Sequence, residues 1–157
     1  VLRWMADERR HLTQHRLPGD KLAAAAVADC GVRRGADCEI LSVQEITFIP
    51  HNQCKRTSTR VTWPLQPALP LLHRAGDQGL AVLKIHSHPR DVIQFSPWDD
   101  SADASVFGAL FTWSAAPALH LSAFMLESGA IHARVVRRDG SHSPVKRVMV
   151  VGDSIEF

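Results

Sequence analysis

Apolar positions along the chain change their period several times, and each change marks an element. Residues Leu2 to Gln14 have helical character, closed by a Leu17-Pro18-Gly19-Asp20 turn, because proline and glycine punctuate regular structure. The apolar run from Leu22 to Ala28 has the length of a buried strand, although alanine is a weak strand former. Gly31 to Asp37 reads as a turn. Cys38 to Ile49 then alternates as a strand, with Ile40, Val43, Ile46, Phe48 and Ile49 supplying its apolar side. His51 to Ser58 is polar and loop-like. Pro64 to Gly79 predicts an irregular start followed by a helix that glycine stops. Leu80 to Ile85 is a compact apolar strand that runs directly into His86-Ser87-His88-Pro89, and a second helix is expected from Ser96 to about Trp113. Ala118–Leu126, Ile131–Arg137 and Val145–Val151 alternate as strands joined by Ser128-Gly129 and Asp139-Gly140 turns. Strands and helices ending in a β-meander imply an α+β fold, a mixed α/β sandwich.

Length and composition narrow the function classes. A chain of 157 residues fits one domain, spanning 1–157, and can bury a core without disulfide staples. The net charge of +2 is too near neutral to argue for nucleic-acid or membrane binding, the scattered basic pairs (Arg9-Arg10, Arg33-Arg34, Arg137-Arg138) read as solvated turns and faces, and neither partner is expected. Cys30, Cys38 and Cys54 have no C-x-x-C spacing and form no disulfide framework, as expected of reduced thiols. No stretch approaches the roughly 20 apolar residues that span a bilayer, and the N-terminal residues lack the apolar core of a signal peptide. A cytoplasmic location is the expectation.

The chemistry concentrates after the compact strand. Side chains two apart on a strand leave the same face, so His86 and His88 present two imidazoles together, half of a zinc site. After seven intervening residues comes Ser96-Pro97-Trp98-Asp99. Serine at the N-cap, proline at the first helical position and a carboxylate at the third form a helix start, and capping alone is a sufficient cause for them. The same geometry fixes Asp99 in the first turn, where it could be a third protein ligand. Two imidazoles and one carboxylate leave a tetrahedral zinc one open position, as in a catalytic site. Ser96 would then offer a hydroxyl to a developing oxyanion.

His86-Ser87-His88-Pro89, the interval to Ser96, and Ser96-x-x-Asp99 resemble the signature of the JAMM, or MPN+, zinc metallopeptidases. The resemblance covers about Leu12 to Trp113 well and the C-terminal strands loosely. It implies a curved MPN/JAB-type β-sheet flanked by helices, zinc held by His86, His88 and Asp99, and an oxyanion-stabilising Ser96. It also implies cleavage of isopeptide or peptide bonds after the C-terminal glycine of a ubiquitin-like protein, by deconjugation or precursor processing. Bacterial relatives of this kind accompany activating and conjugating enzymes of the same operon, antiphage operons included. The implied partner is the tail of a ubiquitin-like protein or its conjugates.

One departure matters. The family requires an upstream glutamate as general base, and bacterial members show Asp-x-x-Glu-Ala-Ala-Ala running later into Cys-Gly. Laid on that pattern, Asp20, the alanines and Cys30-Gly31 fall into place and Ala23 occupies the glutamate position. Natural loss of the base and an introduced Glu→Ala change both fit. The intact ligand set favours the second, since a decayed site more often loses a ligand too. Glu45, the nearest upstream carboxylate on a predicted strand, is the alternative base, though strand alternation reads it as solvent-facing. Glu39 is weaker. Asp100 and Asp103 are explained by the helix dipole. Cys30 and Cys54 read as small buried hydrophobes, and Trp98 as packing or as the wall of a groove. His11, His15, His51, His73, His120, His132 and His142 show no ligand spacing. Besides the isopeptidase, two functions stay open: an inactive scaffold gripping a ubiquitin-like tail or partner subunit, and a hydrolase of another substrate such as a sulfur-carrier conjugate.

Overall fold

A computed structural model describes residues 1–5, 10, 14, 22–88, 92–113 and 115–151. Its centre is one curled mixed sheet, in the order β10-β1-β3-β2-β6-β7-β8-β9. The strands are β1 (Leu2–Met5), β2 (Ala25–Arg34), β3 (Glu39–Phe48), β6 (Ala81–His88), β7 (Leu119–Leu126), β8 (Ile131–Arg137), β9 (His142–Pro144) and β10 (Val148–Val151). The small strands β4 (Lys55–Arg56) and β5 (Val61–Thr62) form a separate ribbon. Two longer helices accompany the sheet, α1 (Leu69–Gln78) and α2 (Pro97–Leu110).

β6 lies in the middle of the sheet, antiparallel to β2 and parallel to β7. A strand covered on both faces reads as a nearly continuous apolar run, which is why Ala81 to Ile85 is apolar apart from Lys84. Alternate side chains of β6 feed two cores. Leu83 and Ile85 join Leu2, Trp4, Ala26, Ala28, Leu121 and Met125 in a cluster drawn from the strands. Val82 points the other way, with Ala25 and Val27, against Leu71, Leu72 and Ala75 of α1 and Phe107 and Leu110 of α2. His86 and His88 belong to this second, helix-covered face by the two-residue period.

Helix α1 ends as expected. Gly79 adopts φ 65°, ψ 30° and its N–H bonds the Ala75 carbonyl, a left-handed cap that a side chain would strain. Gly76 is not part of that stop. A Cβ there would lie 2.2 Å from the Trp113 ring, so its bareness lets Trp113, three residues past α2, dock on α1.

Three boundaries differ from the sequence reading. Leu2–Met5 is a strand, because Leu2 and Trp4 are buried while Arg3 and Met5 are exposed, a period of two that fits between β3 and β10. Of the rest of that predicted helix only Arg10 and Gln14 are described, both helical, and the turn at 17–20 lies outside the described residues. The turn predicted at Gly31–Asp37 is shorter, since β2 continues to Arg34 opposite Glu39 and the chain reverses where the Gly35 N–H meets the Cys38 carbonyl. Polar residues at the solvated tip of a long hairpin look like a turn in sequence. The last predicted strand, Val145–Val151, begins later, as β10 at Val148, and an unpredicted strand, β9, precedes it. Pro144 ends β9, having no N–H to continue a ladder, and β10 crosses to the opposite edge to run parallel to β1.

His120 of β7 joins the helical layer to the sheet. Its Nδ1 accepts the Val82 N–H at 3.0 Å, and its ring lies against Phe107 and Phe111. Burial pushes its pKa from 6.5 down to about 4, with Arg138 adding to the effect. The unfolded chain therefore takes up a proton below about pH 6.5 that the folded chain refuses, and stability falls as pH drops toward 4. The expected loss is on the order of 3 kcal/mol at pH 4. Thermal melts of wild type and His120→Asn between pH 7 and pH 4.5 should show a wild-type advantage that narrows with acid. A pH-independent difference would refute this account of His120.

Candidate metal centre

The end of β6 and the start of α2 meet on the helix-covered face. His86 Nε2 lies 2.9 Å from His88 Nε2 and 3.2 Å from Asp99 Oδ1. Ligand atoms of the three residues all fall within 4.8 Å of one another. The helix start explains how Asp99 arrives there. Ser96 caps α2 in a reciprocal box: its Oγ accepts the Asp99 N–H at 3.3 Å, while Asp99 Oδ2 accepts the Ser96 N–H and hydroxyl, each at 2.7 Å. One carboxylate oxygen is thus committed to the cap, and the other faces the histidines. Capping and ligation, which compete as explanations in sequence, use different atoms of Asp99.

The donor chemistry suits a cation. His88 Nδ1 lies 2.6 Å from the Val92 carbonyl, an acceptor only, so Nδ1 is the donor there and Nε2 is the atom turned toward His86. The His88 ring is held flat on Phe124, with centroids 4.1 Å apart and planes 5° apart. Burial depresses the His86 pKa to about 3 against the pull of Asp99, leaving that imidazole neutral. Burial raises the Asp99 carboxyl, but His86, the two Ser96 bonds and nearby Lys84 outweigh it and hold the group below its ordinary value. Two imidazoles and a carboxylate converge. Ligand atoms about 2.1 Å from a tetrahedral centre stand roughly 3.4 Å apart, near the 2.9 and 3.2 Å seen here.

Ala23 lies just before β2, whose first residue pairs with His86. Ala25 pairs with His86, and the ladder continues through Ser87, whose N–H bonds the Ala24 carbonyl while its Oγ accepts the Ala24 N–H at 2.8 Å. Ala23 stands two residues before the Ala25–His86 pair, the interval that returns to one face of an extended strand. The Ala23 backbone is pinned on its other side by the Thr57 carbonyl and by Arg56 Nε, and its methyl is buried. Glu45 is elsewhere. It pairs with Asp29, four positions along β2 from Ala25 and so about 13 Å away along the strand. There it and the buried Asp29 share Arg74. Glu39 lies still farther along the hairpin, opposite Arg34.

The centre opens into a cavity of about 380 Å³ between the β4–β5 ribbon and α2, lined by His86, His88, Asp99, Lys84, Trp63 and Trp98 among others. Trp98 is 64% exposed with the Arg60 guanidinium 3.9 Å over its ring, so it is a wall of the cavity and not core packing. Cys30 is buried as expected; Cys54 is only half-buried, with its thiol pKa raised by burial, and Cys38 is exposed. None of the three belongs to the His86–His88–Asp99 group.

The reading of Asp103 by helix dipole alone is corrected. Asp103 is fully buried, ion-paired to Lys84 and to both nitrogens of an Arg134 fork at 3.1 and 2.7 Å. Asp100 is held by Arg134 at 2.6 Å. The sequence carried a signal for this group. Lys84 breaks the apolar run two residues before His86, and Asp103 follows Asp99 by four, the spacing of one helix face. Ser87 was also missed, because its role is a strand-to-strand bond that only the register reveals.

No family model matches the sequence, and no curated protein does. Among solved structures, the chain is similar to the solution structure of protein DSY2949 from Desulfitobacterium hafniense. The TM-score is 0.61 at 14% identity, over 99% of this chain and 96% of that one. At that identity the likeness speaks to fold alone: a mixed α/β chain with a curled sheet and few helices. Among the described residues no helix is long and apolar enough to cross a membrane.

Proposed function

We propose that this domain is a JAMM-type zinc hydrolase with an MPN-like sheet, acting on the bond that follows the C-terminal glycine of a ubiquitin-like protein. The observation that carries the proposal is the convergence of His86 Nε2, His88 Nε2 and Asp99 Oδ1 in the order and spacing of the sequence motif. Zinc held by these three atoms would supply Lewis-acid polarisation of the scissile carbonyl and activation of water. The chain's own residues divide the remaining work. His88 is fixed in orientation by the Val92 carbonyl and the Phe124 ring, and burial holds the His86 pKa down to about 3. Asp99 holds its charge through Ser96. The Ser96 hydroxyl, which donates to Asp99 Oδ2 here, must turn toward the substrate to stabilise an oxyanion. The cavity beside Trp63 and Trp98 provides an apolar channel for an extended tail.

Ala23 supplies no base, so the chain as it stands is a slow enzyme or a binder. A scaffold that grips a ubiquitin-like tail without cleaving it is the second reading, favoured by Ala23 and opposed by the intact donor set. The test uses zinc-loaded Ala23→Glu protein and a ubiquitin-like precursor extended beyond its terminal glycine. Mass spectrometry should find a new C-terminus at that glycine. An intact precursor that nevertheless binds would reject the hydrolase in favour of the scaffold.

A further inference from the structure

We infer that Arg134 is a positioning residue for the metal centre, one that aims the Ser96–Asp99 turn at the histidines from two strands away. The inference rests on the proposed metal-centre reading.

Arg134 stands in one cross-strand row with Ser122 and Lys84, on the face that carries His86. Its guanidinium reaches both sides of the turn that presents Asp99. On the N-terminal side it lies 4.0 Å over the ring of Phe95, the residue immediately before Ser96. Phe95 in turn meets Phe124 edge-on at 4.9 Å, and Phe124 is the ring on which His88 stacks. On the C-terminal side Arg134 grips Asp100 at 2.6 Å and Asp103 at 2.7 Å. Asp103 is one helical turn beyond Asp99 and is also paired with Lys84, two residues before His86. The third ligand's helix is therefore fastened to the ligand strand through one buried carboxylate, and its entry is fastened through one aromatic ring.

The arrangement is specific to a planar fork. Lysine could keep a charge opposite Asp103, but it has no flat face for Phe95 and no second nitrogen set for Asp100. Two cations, Lys84 and Arg134, face two carboxylates, Asp100 and Asp103, so the cluster is balanced without drawing on Asp99. Buried pairs of this kind contribute little net stability against their desolvation and act more through the geometry they fix.

The probe is zinc alone, titrated against a chelating indicator, with wild type and Arg134→Lys compared and the melting temperature of each metal-free protein measured in parallel. Misplacing a ligand through its supporting shell is expected to weaken zinc binding about ten- to a hundredfold. A residue that only stabilised the fold would lower the metal-free melting temperature and leave the zinc affinity of folded protein as in wild type; that outcome overturns the inference. Should Arg134→Lys fail to fold, Phe95→Leu decides, since Phe95 is half-buried and leucine removes the Arg134 stacking limb while keeping an apolar side chain against Phe124. Weakened zinc binding by folded Phe95→Leu supports the positioning role, and wild-type affinity rejects it. Absence of zinc binding by wild type would instead remove the metal-centre reading itself, and the inference with it.

Discussion

Ala23→Glu should raise hydrolysis of a ubiquitin-like precursor by about a hundred- to ten-thousandfold, the contribution of a positioned general base. The argument begins with the register. Ala25 pairs with His86, Ala23 lies two residues before it, and the Ala23 side chain is buried instead of pointing to solvent. Arg56, Thr57 and Ser87 hold the backbone on both sides, so the longer side chain enters along a fixed direction. There a carboxylate can take a proton from the attacking water and return it to the leaving amine. Zinc content should be unchanged. Glu45→Gln in the Ala23→Glu background should leave the rate nearly unaltered, because Glu45 is tied to Arg74 at a distant register position. Brisk turnover by the unaltered chain, abolished by Glu45→Gln, would show that the strand alignment is wrong.

Ser96→Ala, in the same background, should reduce turnover by about ten- to a thousandfold through loss of one oxyanion donor. It should also remove about 1 kcal/mol of stability, because Ser96 Oγ caps α2. The two effects have different signatures. Lost capping appears in the thermal melt and is shared by any variant that frays the first turn. Lost oxyanion stabilisation appears in turnover at saturating substrate. A melt that shifts while turnover stays constant would make Ser96 a cap and nothing more.

Much of the site was legible because its residues are close in sequence and each obeys a local rule. Period two aligned His86 with His88, and the Ser-Pro-x-Asp start fixed Asp99 in a first turn. The division of Asp99 into a capping oxygen and a facing oxygen was not legible, since both uses require the same residue types. The buried group of Lys84, Asp103 and Arg134 joins three elements that are far apart in sequence, so the local cues at Lys84 and Asp103 did not show that the residues pair. The fold shows the same contrast. Gly79 announced the end of α1 through its backbone freedom. The strand Leu2–Met5 was misread because four residues of alternation are too few to outweigh helical neighbours, and its partners lie about 40 and 146 positions downstream. Placing β9 and β10 at the two opposite edges of a curled sheet is likewise a tertiary choice.

The central claim is that His86, His88 and Asp99 hold zinc, and the metal content of purified protein tests it most directly. Elemental analysis after exhaustive dialysis against metal-free buffer, following zinc loading, should give about one zinc per chain, with three protein ligands and one open position. His88→Ala should lose most of it, and His86→Ala with His88→Ala should lose all. A double variant that retains a full equivalent of zinc, or a wild-type chain that retains none, would contradict the account.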